Sequence, residues 1–358
     1  MSAVWSELRL RELVLPNRVW LSPMCQYSAD ASGVPTDWHL AHYGSRAAGG
    51  VGMVMVECTA VAPDMRTTAR DLGLWSPEQV AGHRRLAAAI ASIGSVPAVQ
   101  LGAAGRKSSH GVPWGDHGTR HPVPISDGGW QPLAPSPVPF ADLAVSAEMT
   151  RHEGTRVLED LERAARHAHR AGYRALELHG ANGYLLHEFL SPLANHRTDE
   201  WGGDAERRMR FPLEMVAALR AGWPDESPLI VRLPASDLLA GGLTTDEAVV
   251  VAARMGEAGV DLIDLSAGAL TPAATRTAEP LHHARYGPQF RRAGLLTAAS
   301  GLISAASHLD EAVPDLVDAV LVGRALLRDP YWALRARDAE PRESWPKQYH
   351  RAFPEPIT

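Results

Sequence analysis

Cysteine is scarce. The chain of 358 residues holds two, Cys25 and Cys58. Two thiols cannot build a disulfide framework, and an iron–sulfur cluster needs more ligands than that. Long apolar runs are missing too. No stretch nears the ~20 residues of a membrane span. Residues 1–10 show no basic start followed by an apolar run, so no signal peptide is expected. The expectation is a cytoplasmic, reduced chain. Neither sign of charge dominates. Lys+Arg 35 stand against Asp+Glu 41, well mixed, for a net charge of −6. That argues against nucleic acid or an anionic membrane as partner. No G-x-G-x-x-G follows a strand-like run, and P-loop, H-E-x-x-H and G-x-S-x-G motifs are absent.

What is present is a rhythm. An apolar fraction of 45% can fill a sizeable core, and the length suits one large domain or two ordinary ones. Apolar, β-branched runs predict strands over 19–24, 51–56, 96–101, 175–178, 229–233, 262–266, 295–299 and 319–322. Helical patterns lie between them, over 38–47, 77–93, 150–171, 206–220 and 244–258. Ser76 and Pro77 open one helix, and Gly94 follows its end. Thr150 with Glu153, and Thr244 with Glu247, have the spacing of capping boxes. RAGYRALELH and EAGVDLIDLS are near-copies of one helix–Gly–strand junction. Such repetition fits an α/β fold, a (β/α)8 TIM barrel, better than a Rossmann sheet. The rhythm breaks over residues 102–149, rich in Gly, Pro, Trp and His. A loop that long is usually functional. It reads as a capping insert after the third strand, holding a short hairpin. The expected organisation is one domain, 1–358, with a tail over 342–358.

In such a barrel the chemistry sits at the C-terminal strand ends. The strand over 175–178 runs into His179, Asn182 and Tyr184. A helical turn there would point His179 and Asn182 the same way. Two neutral donors aimed at one oxygen polarise a carbonyl, and Tyr184 is a possible proton donor. The alternative is that His179 satisfies a buried carbonyl and Asn182 caps the next helix. Arg232 leaves a buried strand, where a cation needs a partner. Ser300-Gly301 and Gly323-Arg324 follow the last two strands, the usual place of paired phosphate loops. Two ordinary turns are the alternative.

The stretch HGANGYLLHEFLSPLANHRTDEWGG, with SPMCQY at 22–27, QLGAAGRK from Gln100 and QYHRAF from Gln348, resembles the old yellow enzyme flavoproteins, in their thermophilic-like branch. The resemblance implies an FMN-dependent ene-reductase. NADPH or NADH reduces FMN and leaves, and hydride then passes from flavin N5 to the β-carbon of an enone or related electrophile. It implies that Ser22, Pro23 and Met24 run along the flavin, with Cys25 beside it and Tyr27 on the substrate. Cys58 stands where alanine is expected. Gln100 takes the pyrimidine edge, and Arg232 the N1–O2 side. Ser300, Gly301, Gly323 and Arg324 take the phosphate. His179 and Asn182 hold the substrate oxygen, and Tyr184 protonates the α-carbon. Arg351 crosses to a neighbour in a homodimer or homotetramer. One departure is Ala103, where relatives usually have His. Two other readings are a flavin-binding protein with little turnover and a 2,4-dienoyl-CoA reductase-like module. The latter needs a cysteine set and nucleotide domains that this chain lacks.

Overall fold

A computed structural model describes residues 2–115, 121–274, 279–337 and 342–353. The chain opens with a small antiparallel hairpin, β1 (Leu8–Leu10) and β2 (Leu13–Leu15). The barrel then begins with β3 (Val19–Leu21), α1 (Asp37–Ala48), β4 (Met53–Ala60), α2 (Pro77–Ser92) and β5 (Val96–Gly102). Within the insert lie β6 (Leu133–Ala134) and β7 (Ala147–Glu148). The barrel resumes with α3 (Arg151–Ala171), β8 (Ala175–His179), α4 (Leu185–Leu190), α5 (Ala205–Arg208), α6 (Arg210–Gly222) and β9 (Leu229–Pro234). It ends with α7 (Thr245–Glu257), β10 (Leu262–Ser266), α8 (Gly287–Arg292), β11 (Leu296–Ala299), α9 (Ala306–Ala312), β12 (Ala319–Val322), α10 (Arg324–Arg328) and α11 (Trp332–Arg335). Eight parallel strands close in the order β10-β11-β12-β3-β4-β5-β8-β9. Among the described residues, no helix is long and apolar enough to cross a membrane.

Local chemistry explains most boundaries. Both expected capping boxes form, at Thr150–Glu153 and Thr244–Glu247, and a third forms at Ser76–Gln79. Three expectations need correction. The first strand stops at Leu21 rather than residue 24, because the chain leaves the barrel as it passes over the mouth. The helix expected over 206–220 is two, broken at Met209. The insert's described strands, β6 and β7, pair in parallel and not as a hairpin, while His110 and Pro122 form an isolated antiparallel bridge. Two residues on each side are all that the irregular insert can align.

The register decides what lies inside. In an eight-stranded barrel the level rises by about one residue per strand. Glu177 pairs with Ile230, which pairs with Leu262, so Glu177 stands level with Asp264. Following that rule round the barrel returns to the starting residue and gives four levels of inward side chains. Lowest are Met53, Ala175, Leu262 and Ala319, then Trp20, Ala98, Ile230 and Ala298. Above them stand Met55, Glu177, Asp264 and Leu321, and topmost are Ser22, Gln100, Arg232 and Ser300. The interior thus turns from apolar to polar as it rises. Leu8, Leu10, Leu13 and Leu15 of the hairpin join the same apolar cluster as the lower levels, closing the N-terminal end.

Leu15 is fully buried there. Leu15→Ala should cost about 2–5 kcal/mol. The check is urea unfolding of the holoprotein, with a lower midpoint and an unchanged slope.

Candidate active site

Two adjoining cavities open over the polar top level. The larger, of about 890 Å³, is lined by Ser22, Pro23, Met24, Ser300, Gly301, Gly323 and Arg324 among others. The smaller, of about 350 Å³, is lined by Cys25, Tyr27, Cys58, Gln100, Lys107, His179 and Tyr184 among others. Pro23, Asn182 and Arg232 line both. Every barrel residue singled out from the sequence therefore lines one cavity or the other. Arg351 does not. It is exposed, and it lines a separate cavity of about 520 Å³ with Trp345, Tyr349 and Phe353. That tail segment packs on its own chain, with Trp345 stacked on Tyr331 at 5.9 Å between centroids.

His179 and Asn182 line the same cavity, though by a different route from the expected helical turn. Asn182 takes a left-handed conformation, φ 55°, and α4 begins only after Tyr184. Asn182 does not cap that helix, since Tyr184 is its N-cap. The acceptor atoms of both side chains are engaged. Ala181 N–H donates to His179 Nδ1 at 3.4 Å, which leaves the ring proton on Nε2. Ser266 Oγ donates to Asn182 Oδ1 at 3.0 Å, which leaves the amide NH₂ to donate. Burial pushes the His179 imidazole well below its ordinary range, and the charges of Arg232 and Lys107 push the same way. The ring is a neutral donor at neutral pH. Falling pH through the unfolded value works against the fold, because only the unfolded ring gains the proton. The Tyr184 ring meets His179 edge-on at 4.5 Å.

Buried groups hold this turn in place. Lys107 Nζ donates to the Asn182 carbonyl at 2.6 Å and to the Ala269 carbonyl at 2.8 Å. Gly183 N–H donates to His187 Nδ1 at 2.9 Å, and His187 Nε2–H donates to Asp237 Oδ1 at 2.6 Å. The loop carrying Cys25 is held likewise. Gln26 N–H donates to Glu57 Oε2 at 2.6 Å, and Tyr43 Oη–H to Glu57 Oε1 at 3.2 Å. The sequence reading assigned no role to Lys107, Glu57 or His187. Glu57 precedes Cys58, while Lys107 and His187 lie within the quoted stretches QLGAAGRK and HGANGYLLHEFLSPLANHRTDEWGG, and that placement was the signal available. Ala103 lies outside the site. Its side chain joins the outer core, and its carbonyl accepts Leu185 N–H at 3.1 Å.

The cavities suit a flavin mononucleotide. Polar Ser22, Gln100 and Arg232 line the cavities, with Arg232 Nη2 donating to Ser300 Oγ at 3.1 Å. Arg324 and Arg328 give the larger cavity a cationic side suited to a phosphate, and His282 and His283 line it too. Gly301 there has φ 132°, which a side chain would rarely tolerate.

One close approach involves Cys58. A Cβ on Gly102 would lie 2.7 Å from Cys58 Sγ. Gly102→Ala should cost about 1–3 kcal/mol by overpacking. Cys58→Ala in the same chain should restore stability, as measured by denaturant unfolding of the two variants.

Residues 5–343 match the model of the NADH:flavin oxidoreductase / NADH oxidase family. An NADPH dehydrogenase from Geobacillus sp. (strain WCH70) is 41% identical over 93% of this chain and 93% of its own length. A solved 2-naphthoyl-CoA reductase complex is 25% identical with a TM-score of 0.84, covering 96% of this chain, which spans only 53% of that longer one. A solved old yellow enzyme homologue from Zymomonas mobilis is 25% identical with a TM-score of 0.75, covering 92% of this chain and 90% of its own. The chain belongs to the NADH:flavin oxidoreductase / NADH oxidase family, and is an FMN-dependent oxidoreductase of old yellow enzyme type that uses a nicotinamide reductant.

Proposed function

We propose that this enzyme reduces the activated C=C bond of α,β-unsaturated carbonyl compounds. One observation carries the reading. His179 and Asn182 have their acceptor atoms engaged, so both present N–H donors on a cavity shared with Tyr184. Bound FMN supplies reversible two-electron hydride chemistry.

The residues supply the rest. His179 and Asn182 hold the substrate carbonyl oxygen and stabilise the negative charge it gains. The neutral imidazole keeps its Nε2 proton and acts as a donor, not as an acid. Tyr184 delivers the proton to the α-carbon, and Tyr27 packs on the substrate. Gln100 and Arg232 would hold the flavin, where the Arg232 charge would favour its reduced form. Ser22, Pro23 and Met24 would also hold it. Cys25 and Cys58 would set sulfur in the same site, and Cys25 would tune its potential. The phosphate is held by Ser300, Gly301, Gly323 and Arg324. Arg351 completes the substrate side of a neighbouring subunit in a homodimer or homotetramer. What supports that last step is its place, exposed and outside its own barrel's cavities.

Steady-state turnover of cyclohexenone with NADPH tests the central reading. Rapid enone consumption is expected. Slow flavin reduction with no enone loss would instead indicate a flavin-binding protein. His179→Ala should keep FMN yet lower enone turnover by ~10²–10³. It should also weaken phenol binding, and an unchanged phenol titration would move the oxygen anchor elsewhere. Deleting residues 345–358 should weaken the oligomer and alter substrate affinity. A fully active wild-type monomer in light scattering would sink the shared site.

A further inference from the structure

The third level of the barrel contains two carboxyl groups that the chemistry above leaves unused. Glu177 and Asp264 stand there between Met55 and Leu321, all of them buried. Gln100 Nε2 donates to Glu177 Oε1 at 2.6 Å. Glu177 Oε2 and both Asp264 oxygens accept no hydrogen bond. Asp264 Oδ2 lies 3.4 Å from Arg232 Nε. Arg232 and Gln100 belong to the level above and line the cofactor cavities. One cation therefore sits over two acids and under the flavin site.

Burial raises both acids. Glu177 is pushed up to about 8, with the Asp264 charge adding to burial. Asp264 is pushed up to about 6, with Arg232 holding it down. The other titratable groups around the pair are neutral or held by partners of their own. Burial raises the Cys58 thiol from β4 and keeps it neutral. His179 from β8 is neutral too. Glu57 is tied to Gln26 and Tyr43, with His39 Nε2 at 3.2 Å. Lys107, the other cation nearby, is bound to two carbonyls.

We propose that Asp264 and Glu177 form a shared-proton site, taking up one proton each time the bound flavin is reduced and releasing it on reoxidation. The inference rests on the FMN-binding reading of the cavity. Hydride from the nicotinamide brings two electrons and one proton, and the flavin ring gains one negative charge. The Arg232 guanidinium turns its charge to that ring. Asp264 loses its counter-charge, and a solvent proton adds to its carboxylate to form an O–H bond. When hydride leaves for the substrate, Arg232 pairs again with Asp264 and that proton returns to solvent. Glu177, already protonated at neutral pH, extends the effect upward in pH.

The test is the midpoint potential of the holoenzyme followed against pH, from about 6 to about 8. Dithionite as reductant keeps the result independent of any enone activity. The expected wild-type slope corresponds to two protons per two electrons, an extra tenfold in the reduction equilibrium per pH unit. Asp264→Asn combined with Glu177→Gln should halve it. Infrared reduced-minus-oxidised difference spectra of the wild type should show a protonated-carboxyl band, absent in Asp264→Asn. A wild-type slope of one proton throughout, or no such band, overturns the proposal. Should the variants fail to hold FMN, the wild-type slope and band still decide it.

Discussion

Closure of the barrel fixes which side chain meets which. Each strand rises about one residue against its neighbour, and side chains alternate in and out. Four levels of inward residues follow, and none can be shifted alone. A slip of one residue in β8 would turn Glu177 and His179 outward, and Leu176 and Leu178 inward. The site thus depends on registers set by apolar contacts outside the barrel, where Leu176, Leu178, Val231 and Ile263 pack against helices. Polar chemistry at the mouth rests on hydrocarbon packing that never touches a ligand.

The mouth adds a second kind of order. Strands deliver His179 and Arg232 to the right height, but Asn182 and Cys25 lie on irregular backbone. Irregular backbone needs partners, and here they are charged groups buried with it: Lys107, the His187–Asp237 pair and Glu57. Each is satisfied by backbone amides or carbonyls, so its charge organises a loop. Removing one would leave several polar groups without partners at once.

Much of this was legible in the sequence. The strand over 319–322 matches β12, and the Thr150–Glu153 and Thr244–Glu247 boxes mark helix starts because local chemistry alone decides them. Strand-end residues could be named because apolar runs stop where a barrel strand meets the mouth. Other features were hidden. β1 and β2 are three residues each, too short for any period to show. The break at Met209 lies within a turn of Pro212, which has no N–H to give the Arg208 carbonyl, a signal that the continuous helical pattern around it masks. The run over 175–178 reads as apolar although Glu177 stands within it, and its buried carboxyl becomes visible only when strands β9 and β10 bring Arg232 and Asp264 beside it. Pairing across strands is information that no single stretch carries.

The leucine hairpin under the barrel has a kinetic meaning. With that end stoppered, the two cavities among the described residues lie above the polar level. If, as proposed, reductant and oxidant both enter there, they must take turns, each waiting for the other to depart. The molecule works as a turnstile: crowding by either visitor delays the other, and its pace is governed by departures as much as by chemistry.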